Sequence, residues 1–244
     1  PALPPRLPGP APPWHDARMA RLLLLLLATV RAAPAAACDL ALVFAIDVSN
    51  SVDEREYRLQ VDGLSLALRD PAIADALLSG ESALAVLQWS GADEQIVAVP
   101  WTRIEGPAAL DAFVAAVHRQ PRAFVASGTA PAEAVRRSLA LLDEAPPCAR
   151  RVIDVSGDGE RNEGGRVAEA RNAAAAAGVT INAIAIETDR TTVSDFFRRE
   201  LITPGGFVMR AEGHDDYPAT LRARIARELF PVVGEAGGPG VSGP

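Results

Sequence analysis

The sequence predicts one α/β domain: a doubly wound, mostly parallel sheet with helices on both faces. Three observations carry this. Short apolar runs alternate with helical segments over about 190 residues. The first run, Leu40 to Ile46, is apolar throughout, as suits a parallel strand covered on both faces. The chain has 244 residues, 49% of them hydrophobic, which suffices for one sizeable core but not for two large domains.

In order, Asp39 to Val48 reads as a strand ending at Asp47. A helix follows from Asp53-Glu54 to about Arg69, with Leu59, Leu64, Leu66 and Leu68 as its apolar face. Pro71 breaks it, and residues 72–78 form a short second helix. Ser82–Trp89 and Gln95–Trp101 are strands joined through Gly91-Ala92-Asp93, close enough for an antiparallel hairpin. Helices are expected over Pro107–His118 and over Thr129–Leu142, where Pro131 occupies the tolerant first turn. Then come a strand at Arg151–Val155, a helix over Val167–Ala177 stopped by Gly178, and a strand at Val179–Ile186. Thr192–Leu201 is a helix, Phe207–Arg210 a strand and Tyr217–Phe230 the last helix. Residues 234–244 are Gly/Pro-rich and read as a disordered tail.

Composition excludes several functions. All 24 basic residues are Arg, so any chemistry that needs a lysine ammonium is absent. Three His and two Cys do not suggest a zinc or iron–sulfur centre. The net charge is −7, and beyond residue 37 it is −10, from 20 Arg and 30 acids. That balance suits a bound divalent cation and gives no footprint for nucleic acid.

Residues 1–18 are Pro-rich and lack apolar periodicity; they read as a gene-model extension or a disordered stretch. From Met19 a basic start, an apolar run over Leu22–Val30 and Ala35-Ala36-Ala37 form an expected signal peptide over residues 19–37. The run is too short for a stable span, so no transmembrane segment is expected in the mature chain. The domain would occupy 38–233, exported to the periplasm or beyond. Cys38, directly after the cleavage site, is either a lipid-anchor residue or the partner of Cys148 in a disulfide.

Ligands of doubly wound folds sit beyond the carboxyl ends of the strands. After the first strand stands Asp47-Val48-Ser49-Asn50-Ser51, with oxygen on alternate residues. Asp158-Gly159 follows the fourth strand, and Thr129 opens a helix after Ala126-Ser127-Gly128. One hard cation, Mg²⁺ or else Mn²⁺ or Ca²⁺, would suit these donors. Ser49 and Ser51 as mere helix caps, and Asp154 to Gly159 as the start of a calcium loop, are the competing readings.

Asp47-x-Ser49-x-Ser51, Thr129 and Asp158-Gly159, in this order on this α/β pattern, resemble the metal-ion-dependent adhesion site of the von Willebrand factor A family. The stretches Val152–Gly159, Gln88–Gly91 and Pro204–Phe207 look like a bacterial secreted subfamily of unknown function. The resemblance implies a six-stranded, Rossmann-like sheet ordered 3-2-1-4-5-6, its third strand short and antiparallel. It implies Ser49 and Ser51 as direct ligands, with Thr129, Asp47 and Asp158 binding directly or through water. It also implies an open position for an Asp or Glu carboxylate of a partner protein. Asp154 is a rival to Asp158, less favoured because it lies inside the strand, and Ser127 is a candidate neighbour of the site. If Asp47 and Asp158 end adjacent parallel strands, Cys38 and Cys148 fall together at the opposite end, within disulfide reach.

A non-enzymatic protein-binding module is the favoured reading. A metal-dependent hydrolase or phosphotransferase is the alternative, weakened because Ser49 stands where a dehalogenase-type phosphatase needs a second Asp. Gly-x-Ser-x-Gly is also missing, and no His is expected near the site. A metal-bearing subunit of an envelope assembly is a third possibility. His214-Asp215-Asp216 reads as a surface turn, Glu160–Glu163 as a solvated loop, and Trp89 and Trp101 as packing residues.

Overall fold

The computed structural model describes residues 38–125, 127–187 and 192–230. The expected leader, the stretch before it and the tail lie outside the described residues. Six strands form one sheet in the order β3-β2-β1-β4-β5-β6. They are β1 (Cys38–Asp47), β2 (Ala83–Trp89), β3 (Gln95–Arg103), β4 (Cys148–Gly157), β5 (Thr180–Ile186) and β6 (Val208–Ala211). Neighbours run parallel except β2 and β3, which are antiparallel. The third strand is not short: it has nine residues and runs past Trp101 to Arg103.

Helices cover both faces because each strand sends alternate residues to each side. Leu40, Leu42, Phe44 and Ile46 of β1 pack with α1 (Glu54–Leu68), α2 (Pro71–Ser79), α3 (Pro107–His118) and α7 (Tyr217–Leu229). Ala41, Val43 and Ala45 face α4 (Pro131–Asp143), α5 (Val167–Ala176) and α6 (Thr192–Phe196). The expected single helix Thr192–Leu201 changes at Phe197 into a π-helical turn ending at Leu201.

Helix α1 starts at a reciprocal cap. The Asp53 carboxylate accepts from the Glu56 N–H at 2.8 Å, and Glu56 Oε2 accepts from the Asp53 N–H at 2.8 Å. Its buried face is Tyr57, Val61, Leu64 and Leu68. Leu66, expected on that face, is 67% exposed, because two residues beyond Leu64 is about 200° around the helix. Helix α5 ends before Gly178, whose φ of +68° suits a residue without Cβ.

The central pair sets the site. Cys38 lies opposite Cys148, and the register runs unbroken to Ile46 opposite Ser156. The two cysteines form a disulfide with Cα atoms 4.5 Å apart, closing a separation of 110 residues. At the other end Asp158 stands one residue beyond the level of Asp47.

Under the α7 face lies a buried charged network. Arg224, fully buried, meets Asp154 at 2.6 Å. Glu228 meets Arg150 at 2.5 Å and accepts from Asn182 Nδ2 at 2.8 Å. Asp154 is therefore the counter-ion of an α7 arginine rather than a rival to Asp158. Its position inside β4 turns it toward the packed helix layer, not the strand ends.

Two outcomes follow for stability. Reduction of the disulfide, or Cys38→Ser with Cys148→Ser, lowers unfolding free energy by about 2–5 kcal/mol in denaturant titrations. Asp154→Ala strands the buried guanidinium and costs about 3–5 kcal/mol by the same measurement. Where that variant stays folded, its affinity for divalent cations in calorimetry is that of the wild type.

Candidate metal centre

The first loop is shaped by its own carboxylate. Asp47 Oδ1 accepts from the Ser49 N–H at 2.8 Å, a local turn that sends the chain back over the strand end. Ser49 Oγ lies 3.3 Å from Ser51 Oγ, and Ser51 Oγ donates to Asp158 Oδ1 at 2.6 Å. Thr129, nearly buried, reaches the same turn. Its Oγ1 lies 3.7 Å from the point a Cβ on Gly159 would occupy. The structure thus links Asp47, Ser49, Ser51 and Asp158 in one chain of contacts, with Thr129 against Gly159.

Backbone and side-chain ties hold the three loops. Arg122 Nη2 donates to the carbonyls of Val48 at 3.1 Å and Ser49 at 2.8 Å. Gln60 Nε2 donates to the Asp47 carbonyl at 3.2 Å. Ser127 acts through its backbone: its carbonyl accepts from the Asn50 N–H at 3.0 Å, tying the first loop to the second. The Thr129 N–H donates to Asn162 Oδ1 at 2.7 Å, and the Thr129 carbonyl accepts from the Asn162 and Glu163 N–H groups. Glu163 Oε2 accepts from the Ala92 N–H at 3.1 Å. The stretch expected to be a solvated loop is thus partly a clamp, because its amide and carboxylate satisfy backbone donors of neighbouring loops.

Asp47 is wholly buried, and among the described residues its Oδ2 has no hydrogen-bond partner. A Cβ on Gly157 would stand 3.0 Å from that oxygen, so the absence of a side chain there leaves it room. Burial, and then the charge of Asp158, push the Asp47 carboxyl up to about 7. Burial also raises Asp158, against the Ser51 hydrogen bond and the nearby His214, which lower it. An orphaned carboxylate oxygen, a second carboxylate and three hydroxyls fit a hard divalent cation. Among the described residues no three His, Cys, Asp or Glu are grouped to hold a metal, so hydroxyls must supply part of the shell.

His214 departs from expectation. It is 5% exposed, not a surface turn, and its Nε2 lies 3.9 Å from Asp158 Oδ2. Its Nδ1 lies 3.2 Å from Glu56 Oε1. The loop before α7 carries the ring to the site from 56 residues beyond Asp158, a distance no local pattern reveals. Glu56 was findable, since Asp53-x-x-Glu56 is a cap signature. Arg122 had no such signal. Trp89 and Trp101 are packing residues as expected: their ring N–H groups donate to the carbonyls of Ala45 and Leu141.

Sheet order and helix layers together define a von Willebrand factor type A fold. A von Willebrand factor type A protein from Catenulispora acidiphila superposes with a TM-score of 0.56 at 17% identity, over 79% of this chain and 43% of that one. Proximal thread matrix protein 1 from the mussel byssus, with a zinc-occupied MIDAS motif, gives 0.61 at 14% identity, over 79% and 49%. BatB from Bacteroides thetaiotaomicron gives 0.51 at 18% identity, over 78% and 98%. The chain spans less than half the length of the first two. Residues 37–233 match the family described as "Protein of unknown function (DUF1194)", and the chain belongs to that family. No curated protein sequence matches it.

The raised Asp47 carboxyl fixes a pH dependence. The native state holds this proton more tightly than the unfolded chain between pH of about 4 and 7, so unfolding releases it there. In chelator, stability from this group therefore falls as pH rises through that window. Asp47→Asn is more stable than wild type at pH 8 by on the order of a few kcal/mol, and the difference vanishes near pH 4. Urea titrations in EDTA at the two pH values check this.

Proposed function

We propose that the chain is an exported, non-enzymatic module that holds a divalent cation and uses it to bind a partner protein. Asp47, Ser49, Ser51, Thr129 and Asp158 would hold the ion, directly or through water. Mg²⁺ is the ion assigned on the oxygen donors, with Mn²⁺ or Ca²⁺ as substitutes. The observation that carries this reading is the buried Asp47 Oδ2, left without a partner beside a second raised carboxylate. Bound through its hydroxyl ligands, with Asp47 and Asp158 acting through water, the ion would keep much of its positive charge, since hydroxyls carry none to offset it. A carboxylate of a partner Asp or Glu completes such a shell.

The von Willebrand factor A fold, and the zinc-occupied motif of the byssus protein with that fold, support the reading. Export is supported by the disulfide, which suits an oxidising compartment. Cys38 in that bond is not available for lipidation. Among the described residues no helix is long and apolar enough to cross a membrane. The hydrolase alternative gains one point from His214, which stands against Asp158 after all. It still lacks the second Asp after Asp47 and a Gly-x-Ser-x-Gly nucleophile.

Millimolar Mg²⁺ or Mn²⁺ raises the melting temperature of the wild type and leaves Asp47→Ala unmoved. Capture of a partner by the immobilised wild type is lost in EDTA and in Asp47→Ala. An equal thermal shift in both proteins would overturn the assignment.

A further inference from the structure

We infer that the face built by the start of α5 and the π-helical turn Phe197–Leu201 docks an acidic peptide segment of a partner protein. This goes beyond the cation reading and does not need the ion. Two open clefts meet on that face. One, of about 240 Å³, is lined by Arg161, Arg166, Val167, Phe196, Arg199 and Glu200. The other, of about 450 Å³, is lined by Arg171, Arg198, Ile202 and the Pro204-Gly205-Gly206 stretch. Helix α5 and the turn each contribute to both. Beyond residue 37 acids outnumber arginines by 30 to 20. The two clefts together hold five arginines and one acid, Glu200. The charge balance of the chain is thus inverted at this face, and a field of that sign draws an anionic partner.

These arginines are only partly satisfied within the chain. Arg198 donates to Asp195 at 3.0 Å, and Arg166 Nε stands 3.6 Å from Glu169 Oε1. Among the described residues Arg161 and Arg199 have no acidic partner, and Arg161 donates to the Gly164 carbonyl at 3.3 Å. The turn itself is fixed: Arg171 Nη1 donates to the Arg199 carbonyl at 2.7 Å, and the Ile202 N–H donates to the Phe197 carbonyl at 3.1 Å. A π-helical turn is a rare geometry that recurs at functional sites, and this one gives two consecutive arginines to different clefts. A guanidinium fork matches a carboxylate, and exposed arginines beside the buried Phe196 and Val167 have the composition of a protein interface. Because the clefts share the turn, a ligand that meets both is elongated. An extended peptide sends alternate side chains to one side about 7 Å apart, so acids at every second residue suit this face.

The test is fluorescence anisotropy of a labelled peptide of alternating Asp and Ser, titrated with the purified chain in EDTA at low salt. A peptide of alternating Asn and Ser is the neutral control. The acidic peptide binds the wild type and the neutral one does not, and added NaCl weakens the complex. Arg161→Glu with Arg199→Glu weakens it by about tenfold or more. Arg69→Glu with Arg119→Glu makes the same change in net charge at exposed positions closing α1 and α3, in the other helix layer, and alters binding by less than about twofold. Glu200→Gln removes the one acid of the clefts and tightens binding by about threefold, a gain that a misfolded variant does not give. Four results would each overturn the inference. These are no binding to the wild type, equal losses in the two double variants, no gain in Glu200→Gln, and displacement of the peptide by millimolar inorganic phosphate, which would assign the clefts to a free oxyanion. Asp47→Ala separates this inference from the cation reading. It binds the peptide in EDTA like the wild type whether or not the metal centre stands, and binding that appears only with added Mg²⁺ would overturn the arginine face and leave the cation reading intact.

Discussion

Everything at the strand ends depends on one unresolved repulsion. Asp47 and Asp158 leave adjacent parallel strands one residue out of step, so the fold sets two carboxylates near each other in a place poor in water. One oxygen of Asp47 is neutralised locally by the Ser49 N–H. The other has no hydrogen-bond partner among the described residues. Such a group is costly wherever it is ionised, and among the described residues no ion pair reaches it: the buried arginine of α7 pairs with Asp154 instead. The neighbouring hydroxyls can turn their lone pairs inward once a cation is present, and they can donate to the carboxylates when it is not. Ser51 does the latter toward Asp158.

The rest of the molecule keeps that arrangement from relaxing. At the far end of β1 and β4 the disulfide fixes the register, so neither strand can slip to separate its carboxylate from the other. Near the site, Arg122 and the Ser127 carbonyl tie the first loop to the segment between α3 and α4, and Gln60 ties it to α1, by hydrogen bonds. On the helical side, α7 is locked by Arg224 and Glu228 to β4 and β5, and its leading loop is what delivers His214. A structural ion network in one layer thus fixes the position of a side chain in another.

Most of this fold was legible because its signals are local. Apolar runs, proline at helix starts and glycine at helix ends placed the elements, and Pro107–His118 agrees with the expected helix at both ends. The six-stranded order and the antiparallel β3 agree with what the resemblance implies. Leu66 was misread because an apolar residue was counted onto a face without its helical angle. The Asp-x-Ser-x-Ser pattern displayed its residues in one short window. Asp154 and His214 could not be sorted the same way. Whether a carboxylate in a strand meets a guanidinium, or a histidine before a helix folds inward, is decided by contacts 70 and 56 residues away in sequence.

The balance between neutral and charged donors finally bears on why such a centre would recognise another protein. A shell of three or four carboxylates would quench a divalent ion and leave little attraction for an incoming anion. Hydroxyls touching the ion, with the two carboxylates held one water away, would leave its charge less fully offset while the chain still supplies five oxygen-bearing side chains. Neutral oxygen donors would thus hold the ion while its net charge, the property that would draw a partner's carboxylate, is kept. Retention and recognition would otherwise pull against each other, since each further anionic ligand that tightens the ion also weakens its pull on the partner.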